Sequence, residues 1–142
     1  MFLKTKSGQR RGDLSRRYRV LLVDDDAELV EELAEALEAA GYRVDPFTDA
    51  GEALAVAPAQ RPDIALIDLK MRVKNGFQLA RELLAAEALS GIPIIAMTGY
   101  YTRREDEKLM KSSGIRACLF KPFTPEVAAR KLDSLLRDKS SD

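Results

Sequence analysis

Polar side chains that can carry out chemistry follow four short apolar runs of this sequence. An acidic triplet, Asp24–Asp26, follows the first run, and Asp68, Thr98 and Lys121 each follow a later one. If these runs are parallel strands, their carboxyl ends lie at one edge of the sheet, which is where such sheets bind ligands. The sequence therefore predicts carboxylates, a hydroxyl and an ammonium group around a single crevice.

Several carboxylates in one crevice repel each other, and a divalent cation relieves that repulsion. Oxygen ligands without nitrogen or sulfur favour Mg²⁺, with Mn²⁺ as the alternative, over zinc or copper. A carboxylate beside such a cation can act as a nucleophile and form an acyl phosphate. Asp68 is the predicted nucleophile because it stands alone after its strand, whereas the run Asp24–Asp26 suits a metal site.

From Tyr18 onward the chain alternates between short apolar runs and segments whose apolar residues have helical spacing. The predicted strands are Arg19–Val23, Val44–Phe47, Ile64–Ile67, Ile92–Met97 and Ala117–Phe120. Pro46 predicts that the second strand lies at an edge of the sheet. Strict alternation of this kind, with loops too short for a further element, predicts a doubly wound α/β sandwich. Its parallel sheet would carry helices on both faces.

Capping signals mark several of the predicted helix starts. Asp49 with Glu52 fits a capping box for a short helix ending near Pro58, and Thr102 with Glu105 fits another. Thr124 offers an N-cap to the last helix.

The composition excludes several classes of site. The 142 residues include no histidine and a single cysteine, Cys118. This excludes catalysis by a histidine-activated nucleophile, histidine-ligated metals, a multi-cysteine zinc site and a phosphohistidine on this chain. No window approaches the roughly 18 apolar residues of a membrane span. Because no secretory signal is visible either, we expect a cytoplasmic protein.

Charge is unevenly distributed along the chain, although the net charge is zero. Residues 1–19 hold seven basic residues and one acidic residue, which gives +6 and leaves −6 for the remainder. We interpret residues 1–17 as a flexible basic leader, with a nucleic-acid-binding arm as the alternative. Residues 18–137 are predicted to form the folded domain, followed by a frayed tail at 138–142.

The ordered set of these residues resembles the receiver domain of two-component response regulators. The matching segments are Leu22–Asp25, Asp68 with Met71, Asn75-Gly76, Thr98 and Lys121–Thr124. The resemblance extends from about Tyr18 to Leu136. It implies a flavodoxin-like (βα)5 fold with the strand order 2-1-3-4-5.

The resemblance also implies a metal site. It assigns Asp25 as a direct Mg²⁺ ligand, Asp24 as a ligand through water, and the backbone carbonyl of Lys70 as a further ligand beside Asp68. Asp26 lies beyond this acidic pair and is expected to cap the first helix.

The remaining roles concern the phosphoryl group. The resemblance makes Asp68 the phosphate acceptor, Thr98 the hydroxyl that hydrogen-bonds the phosphoryl group, and Lys121 the cation that pairs with it. The bond between Lys121 and Pro122 is expected to be cis.

Three positions depart from the usual family pattern. Arg72 stands where the family usually has proline, and Asn75-Gly76 replaces Asp-Gly. Cys118 occupies the position of an aromatic residue three places before the lysine. We interpret Cys118 as a small buried apolar residue, with a redox role as the alternative.

The loss of that aromatic ring bears on how a signal would leave the pocket. In the family the ring moves inward as the hydroxyl approaches the phosphate, and Cys118 is too small to replace it. We expect phosphorylation to reorder the loop Thr98–Thr102 instead, with Tyr100 or Tyr101 as the moving ring.

These residues predict a receiver that takes a phosphoryl group from a histidine kinase or phosphotransfer protein onto Asp68 and then switches its protein partners. It would catalyse its own Mg²⁺-dependent phosphorylation without being a turnover enzyme. The fourth helix, fifth strand and last helix are expected to contact a downstream protein and to mediate weak dimerisation. Only about six residues follow Leu136, so we expect no fused DNA-binding domain.

Three other functions compete with this prediction. A receiver-like module that signals without phosphorylation is the main alternative, because of the altered loop and Cys118. An aspartyl-phosphate phosphohydrolase would need a second acid near its nucleophile and a cap domain, and neither is evident. A flavin carrier would need a first loop rich in Ser, Thr and Gly rather than Asp24–Asp26.

Overall fold

Five short strands form the central sheet of the computed structural model, which describes residues 18–99 and 104–141. In chain order they are β1 (Arg19–Val23), β2 (Arg43–Phe47), β3 (Ile64–Asp68), β4 (Ile94–Thr98) and β5 (Ile115–Phe120). All neighbouring strands are parallel, and their order is β2-β1-β3-β4-β5, as expected. The three central strands are buried almost throughout, because helices cover both faces of a parallel sheet.

Helices follow each strand and cover the sheet on two sides. They are α1 (Ala27–Ala39), α2 (Ala50–Gln60), α3 (Gly76–Ala85), α4 (Arg104–Ser112) and α5 (Pro125–Ser141). One core cluster joins the sheet to α1 and α5, and a second joins its other face to α2, α3 and Met110 of α4. The predicted three-layer sandwich is therefore confirmed. Within the described ranges, no helix combines the length and the apolar character that crossing a membrane requires.

The edge strand β2 pairs only with β1, and Pro46 lies opposite Leu22 in that pairing. Proline has no N–H to donate, so it is tolerated where one side of the strand has no partner. The prediction that Pro46 marks an edge strand is confirmed.

One prediction about the connections between strands is confirmed and another is wrong. Helix α2 ends at Gln60, in agreement with the predicted end near Pro58. Because Pro58 lies in the last turn, the helix forgoes one hydrogen bond there, and it ends at Arg61 with a left-handed φ of 53°. A 3₁₀ helix at Glu87–Leu89 occupies a loop that was predicted to hold no element. This helix buries the Leu89 side chain completely.

The ends of three other elements also differ from the prediction. Strand β4 begins at Ile94 rather than Ile92, and β5 begins at Ile115 rather than Ala117. Helix α5 reaches Ser141 and so includes most of the segment expected to fray. Apolar runs do not mark such ends, because strand assignment depends on which backbone groups find a partner across the sheet.

Side-chain caps fix the starts of the helices next to the carboxyl edge. The Asp26 carboxylate accepts from the Leu29 N–H at 3.2 Å, and the Asp49 carboxylate accepts from the Glu52 N–H at 2.9 Å. Thr124 Oγ1 accepts from the backbone N–H of residue 127 at 3.3 Å. These three predicted caps are confirmed.

Several expectations concern residues outside the described ranges. They are the capping role of Thr102, the moving ring of Tyr100 or Tyr101, and the basic leader at 1–17.

Gly76 allows helix α3 to start directly against the end of β3. Its N–H donates to the Leu69 carbonyl at 3.0 Å, while Asn75 caps the helix by accepting from the Gln78 N–H at 2.9 Å. A Cβ at position 76 would lie 2.4 Å from the backbone oxygen of Asp68. The backbone fixes the positions of both the Cβ and the Asp68 oxygen, so no side-chain rotation can relieve this contact.

We therefore expect Gly76→Ala to destabilise the fold by about 1–3 kcal/mol, because the start of α3 must move away from β3. Urea unfolding followed by circular dichroism measures the change. Gly51→Ala is the matched control, since its Cβ would meet only the Asp49 side chain, at 3.1 Å. It should change stability by less than about 1 kcal/mol, because alanine favours the helix. Equal effects at the two glycines would contradict this prediction.

Candidate functional site

The carboxyl ends of β1 and β3 bring three aspartates together. Asp24, Asp25 and Asp68 each offer one carboxylate oxygen, and these three oxygens lie within 4.8 Å of one another. Within the described ranges this is the one acidic group that meets the geometric requirement for a metal site. The sequence prediction that these three side chains converge is confirmed.

Asp24 is buried and its two carboxylate oxygens have different partners. Oδ1 accepts from the Asp26 N–H at 3.0 Å, and Oδ2 lies 2.6 Å from the Lys121 ammonium nitrogen. The Asp24 N–H itself donates to the Phe47 carbonyl at 3.1 Å. Asp24 therefore links β1 to the turn that follows β5.

Asp68 ends β3 and is 5% exposed. Its Oδ1 lies 3.2 Å from the Lys121 nitrogen, so one ammonium group contacts carboxylates from both β1 and β3. Burial and the negative charge of Asp24 raise the pKa of Asp68 to about 6, although the charge of Lys121 opposes this. The Asp68 carboxylate is thus ionised at neutral pH but lacks full compensation of its charge.

Lys121 lies at the start of the turn between β5 and α5. Burial by itself would lower the pKa of its ammonium group, but contacts with Asp24 and Asp68 raise it overall. The Lys121 side chain is therefore a permanent cation in this site. Its peptide bond to Pro122 is cis, as the family resemblance implied.

Thr98 ends β4 and is buried at the same edge of the sheet. It follows Met97, which lies opposite Asp68 in the pairing of β3 with β4. The Thr98 carbonyl accepts from the Lys121 N–H at 2.7 Å, which fixes the ends of β4 and β5 to each other. The structure thus places Thr98 on the strand next to Asp68, as the sequence predicted.

Arg72 makes a contact that the sequence did not predict. Its backbone N–H donates to Asp25 Oδ2 at 3.3 Å, and its Nε lies 3.9 Å from the same oxygen. The only signal in the sequence was an arginine at a position that is usually proline in the family. Periodicity cannot show that an exposed loop residue points back toward the acidic group.

The two remaining predicted site residues occupy the loops around the acidic group. Asp26 is exposed and caps α1, as expected. Lys70 is an exposed residue in the loop after β3. The role of its backbone carbonyl as a metal ligand stays a prediction.

The donor set fits a hard divalent cation. The three carboxylates outnumber the positive groups that contact them, which are the Lys121 ammonium group and the solvent-facing Arg72 guanidinium group. Burial and the charge of Asp24 raise the pKa of Asp68 more than the charge of Lys121 lowers it. Oxygen ligands of this kind suit Mg²⁺ or Mn²⁺.

Cys118 is half-buried on β5 and packs beside the second core cluster. Burial raises the pKa of its thiol, which disfavours the reactive thiolate. These observations support its interpretation as a small packing residue, although it is less buried than expected.

Comparison with known proteins identifies relatives of the whole described domain. The family model for the response regulator receiver domain matches residues 20–133. PilH of Pseudomonas aeruginosa is 32% identical over 118 residues, which cover 83% of this chain and 97% of PilH. The DNA-binding response regulator MtrA of Mycobacterium tuberculosis is 36% identical over 121 residues, or 85% of this chain. This chain spans about half the length of MtrA.

Solved structures of receiver domains have the same fold. The chemotaxis protein CheY4 of Vibrio cholerae superposes with a TM-score of 0.79 at 31% identity, covering 83% of this chain and 98% of CheY4. The receiver domain of the sensor histidine kinase PA1611 of Pseudomonas aeruginosa has a TM-score of 0.74 at 30% identity. That alignment covers 83% of this chain and 96% of the PA1611 domain, which has a magnesium ion coordinated in its active site cleft. The chain therefore belongs to the response regulator receiver domain family.

Proposed function

We propose that this chain accepts a phosphoryl group on Asp68 and thereby acts as the phosphorylation switch of a two-component system. The observation that carries the proposal is the buried Asp68 carboxylate, which lies 3.2 Å from Lys121 and within 4.8 Å of two further carboxylates. A nucleophile, a cation for the transferred oxygens and a metal-binding acid pair are the parts that phosphoryl transfer needs. The family consists of signalling proteins rather than turnover enzymes.

These 142 residues include no histidine, so the proposed phosphohistidine donor lies outside them. A carboxylate oxygen of Asp68 attacks the phosphorus of a phosphohistidine on a kinase or phosphotransfer protein. The new P–O bond forms as the P–N bond breaks, and the imidazole nitrogen keeps the bonding electron pair and takes up a proton. No redox step is involved.

The metal ligands in this proposal are Asp24, Asp25, Asp68 and the backbone carbonyl of Lys70. The three carboxylates provide the net negative charge, and the magnesium in the cleft of the related PA1611 receiver supports the choice of ion. When bound, Mg²⁺ supplies positive charge that offsets the carboxylates and the transferred phosphoryl oxygens. Mn²⁺ has similar ligand preferences and is the alternative ion.

We expect two residues of this chain to hold the phosphorylated form of Asp68. Lys121 is a permanent cation beside Asp68, and it can pair with a phosphoryl oxygen in place of the carboxylate. Thr98 lies on the adjacent strand at the same edge, where its hydroxyl is proposed to donate to the phosphoryl group. Phosphorylation can shift the conformational equilibrium only to the extent that these contacts are better in one conformation than in the other.

The partners follow from the family, and their identities are part of the proposal. A sensor histidine kinase or phosphotransfer protein would supply the phosphoryl group in the cytoplasm, and a further protein would bind the phosphorylated form. We propose the face formed by α4, β5 and α5 for that protein and for weak dimerisation, because it carries exposed Phe120 and Leu109. The acidic group is complete, so no described feature favours signalling without phosphorylation.

We expect Asp68→Asn to abolish phosphorylation by a small phosphodonor such as acetyl phosphate, because the amide is not a nucleophile. Intact mass spectrometry counts the phosphoryl groups gained with Mg²⁺ and with a chelator. Asp26→Asn is the matched control, since it keeps the N–H that donates to Asp24 and changes only the exposed carboxylate that caps α1, so phosphorylation should stay unchanged. The parent should lose the modification when the metal is removed. A stable phosphoryl mass on Asp68→Asn equal to that of the parent would refute the assignment.

The raised pKa of Asp68 gives a second prediction, for the metal-free protein. In the unfolded chain Asp68 ionises near 3.8, whereas in the folded protein its pKa is about 6. Ionised Asp68 therefore destabilises the fold above pH 6, by up to about 3 kcal/mol, and this cost disappears as the pH falls toward 4. Asp68→Asn should be more stable than the parent at pH 7.5. The difference in the free energy of unfolding should shrink as the pH falls toward 4.

Urea unfolding with a chelator, at several pH values between 4 and 7.5, measures this difference. Asp26→Asn again serves as the control, because it removes an exposed carboxylate and should not gain stability over the parent at pH 7.5. An advantage of Asp68→Asn that stays constant across the pH range would contradict the raised pKa.

A further inference from the structure

Arg72 contacts one oxygen of the acidic group with two of its own atoms. Its N–H donates to Asp25 Oδ2 at 3.3 Å, and its Nε lies 3.9 Å from that same oxygen. The Arg72 side chain is 89% exposed, whereas that of Asp25 is only 30% exposed. The guanidinium group is thus a solvent-facing cation held next to a partly buried carboxylate.

The carboxylate that Arg72 contacts is one of the three in the proposed metal site. The other two carboxylates share Lys121, whereas Asp25 has its hydrogen bond and its ion pair with a residue of the loop after β3. A dication that binds Asp25 Oδ2 would share that oxygen with the Arg72 N–H, and a dication on either Asp25 oxygen would approach the guanidinium charge. Both effects work against cation binding, and the charge effect acts even if Oδ2 is not the ligating oxygen.

Proline at this position would provide neither effect, because it has no N–H and no charge. The arginine therefore changes the electrostatics of the site without removing any of its carboxylates. The backbone contact keeps Asp25 Oδ2 facing the loop, which holds the carboxylate within reach of the side chain.

We propose that Arg72 is a positioning residue that partly neutralises Asp25 and so weakens the affinity of this site for Mg²⁺. This inference rests on the proposed metal site and adds the control of its affinity to that function. The metal requirement of this receiver would accordingly be set by a loop residue that is not itself a ligand.

Removing the Arg72 charge should tighten Mg²⁺ binding. Exposed charge pairs of this separation change an equilibrium by less than about fivefold, so Arg72→Ala should lower the Mg²⁺ dissociation constant by about two- to fivefold. Arg72→Lys keeps both the backbone N–H and a positive charge, and it should bind Mg²⁺ nearly as the parent does. Because the effect is electrostatic, raising NaCl from about 50 to about 500 mM should shrink the difference between Arg72→Ala and the parent.

Calorimetric or NMR titration of the unphosphorylated proteins with MgCl₂ measures these constants without any phosphoryl transfer. Arg43→Ala is the matched control, because it also removes the charge of an exposed arginine. Arg43 lies at the amino end of β2, whereas the acidic group lies at the carboxyl ends of the strands. Among these variants, we expect tighter Mg²⁺ binding for Arg72→Ala alone. Phosphorylation of Arg72→Ala by acetyl phosphate should likewise reach half its extent at a lower Mg²⁺ concentration than that of the parent.

Three results would overturn the proposal, and they have different meanings. An unchanged dissociation constant in Arg72→Ala would show that the guanidinium group does not act on the metal site. Equal tightening in Arg43→Ala, or tightening in Arg72→Lys as large as in Arg72→Ala, would show that the specific cation at position 72 is not the cause. A parent that binds no Mg²⁺ would overturn the metal site and this inference together.

Discussion

The contact of one ammonium group with two buried carboxylates is the constraint on which the rest of this structure depends. Lys121 lies 2.6 Å from Asp24 and 3.2 Å from Asp68, and these residues come from three separate parts of the chain. A buried charge left without its partner costs about 3–5 kcal/mol, so the ends of β1, β3 and β5 are fixed relative to one another. The same arrangement leaves more negative than positive charge in the site. The fold therefore holds together a group of residues whose excess negative charge favours a bound cation.

The sequence predicted the parts of this arrangement that follow from strand direction. Asp68, Thr98 and Lys121 each follow an apolar run, and parallel strands place all such positions at one edge of the sheet. The strand order itself came from the family resemblance, because periodicity does not specify which strands are neighbours. The contact of Arg72 with Asp25 was not predicted, because it depends on the direction of an exposed loop residue. The 3₁₀ helix at Glu87–Leu89 was missed for a related reason, since local propensity does not include the surrounding packing.

The loop after β3 keeps its local structure despite its unusual residues. Asn75 accepts a hydrogen bond from the Gln78 N–H through its amide oxygen, as an aspartate would through a carboxylate. Gly76 is needed because the Asp68 backbone leaves no space for a Cβ. Sequence changes in this loop are therefore of two kinds. Asn75 preserves the cap of α3 with one less negative charge, whereas Arg72 adds a positive charge beside Asp25.

The end of β5 connects the site to the surface of the domain. The Lys121 side chain contacts the carboxylates while its N–H donates to Thr98, and the preceding residue, Phe120, is 56% exposed. The end of β5 is thus bound to the site on one side and presents an aromatic ring to solvent on the other. In related receivers an aromatic ring on β5 moves between buried and exposed positions, but here that position is Cys118, whose thiol is half-buried and poorly ionised. Because cysteine is too small to fill the space of such a ring, a rotation at position 118 cannot take over this movement.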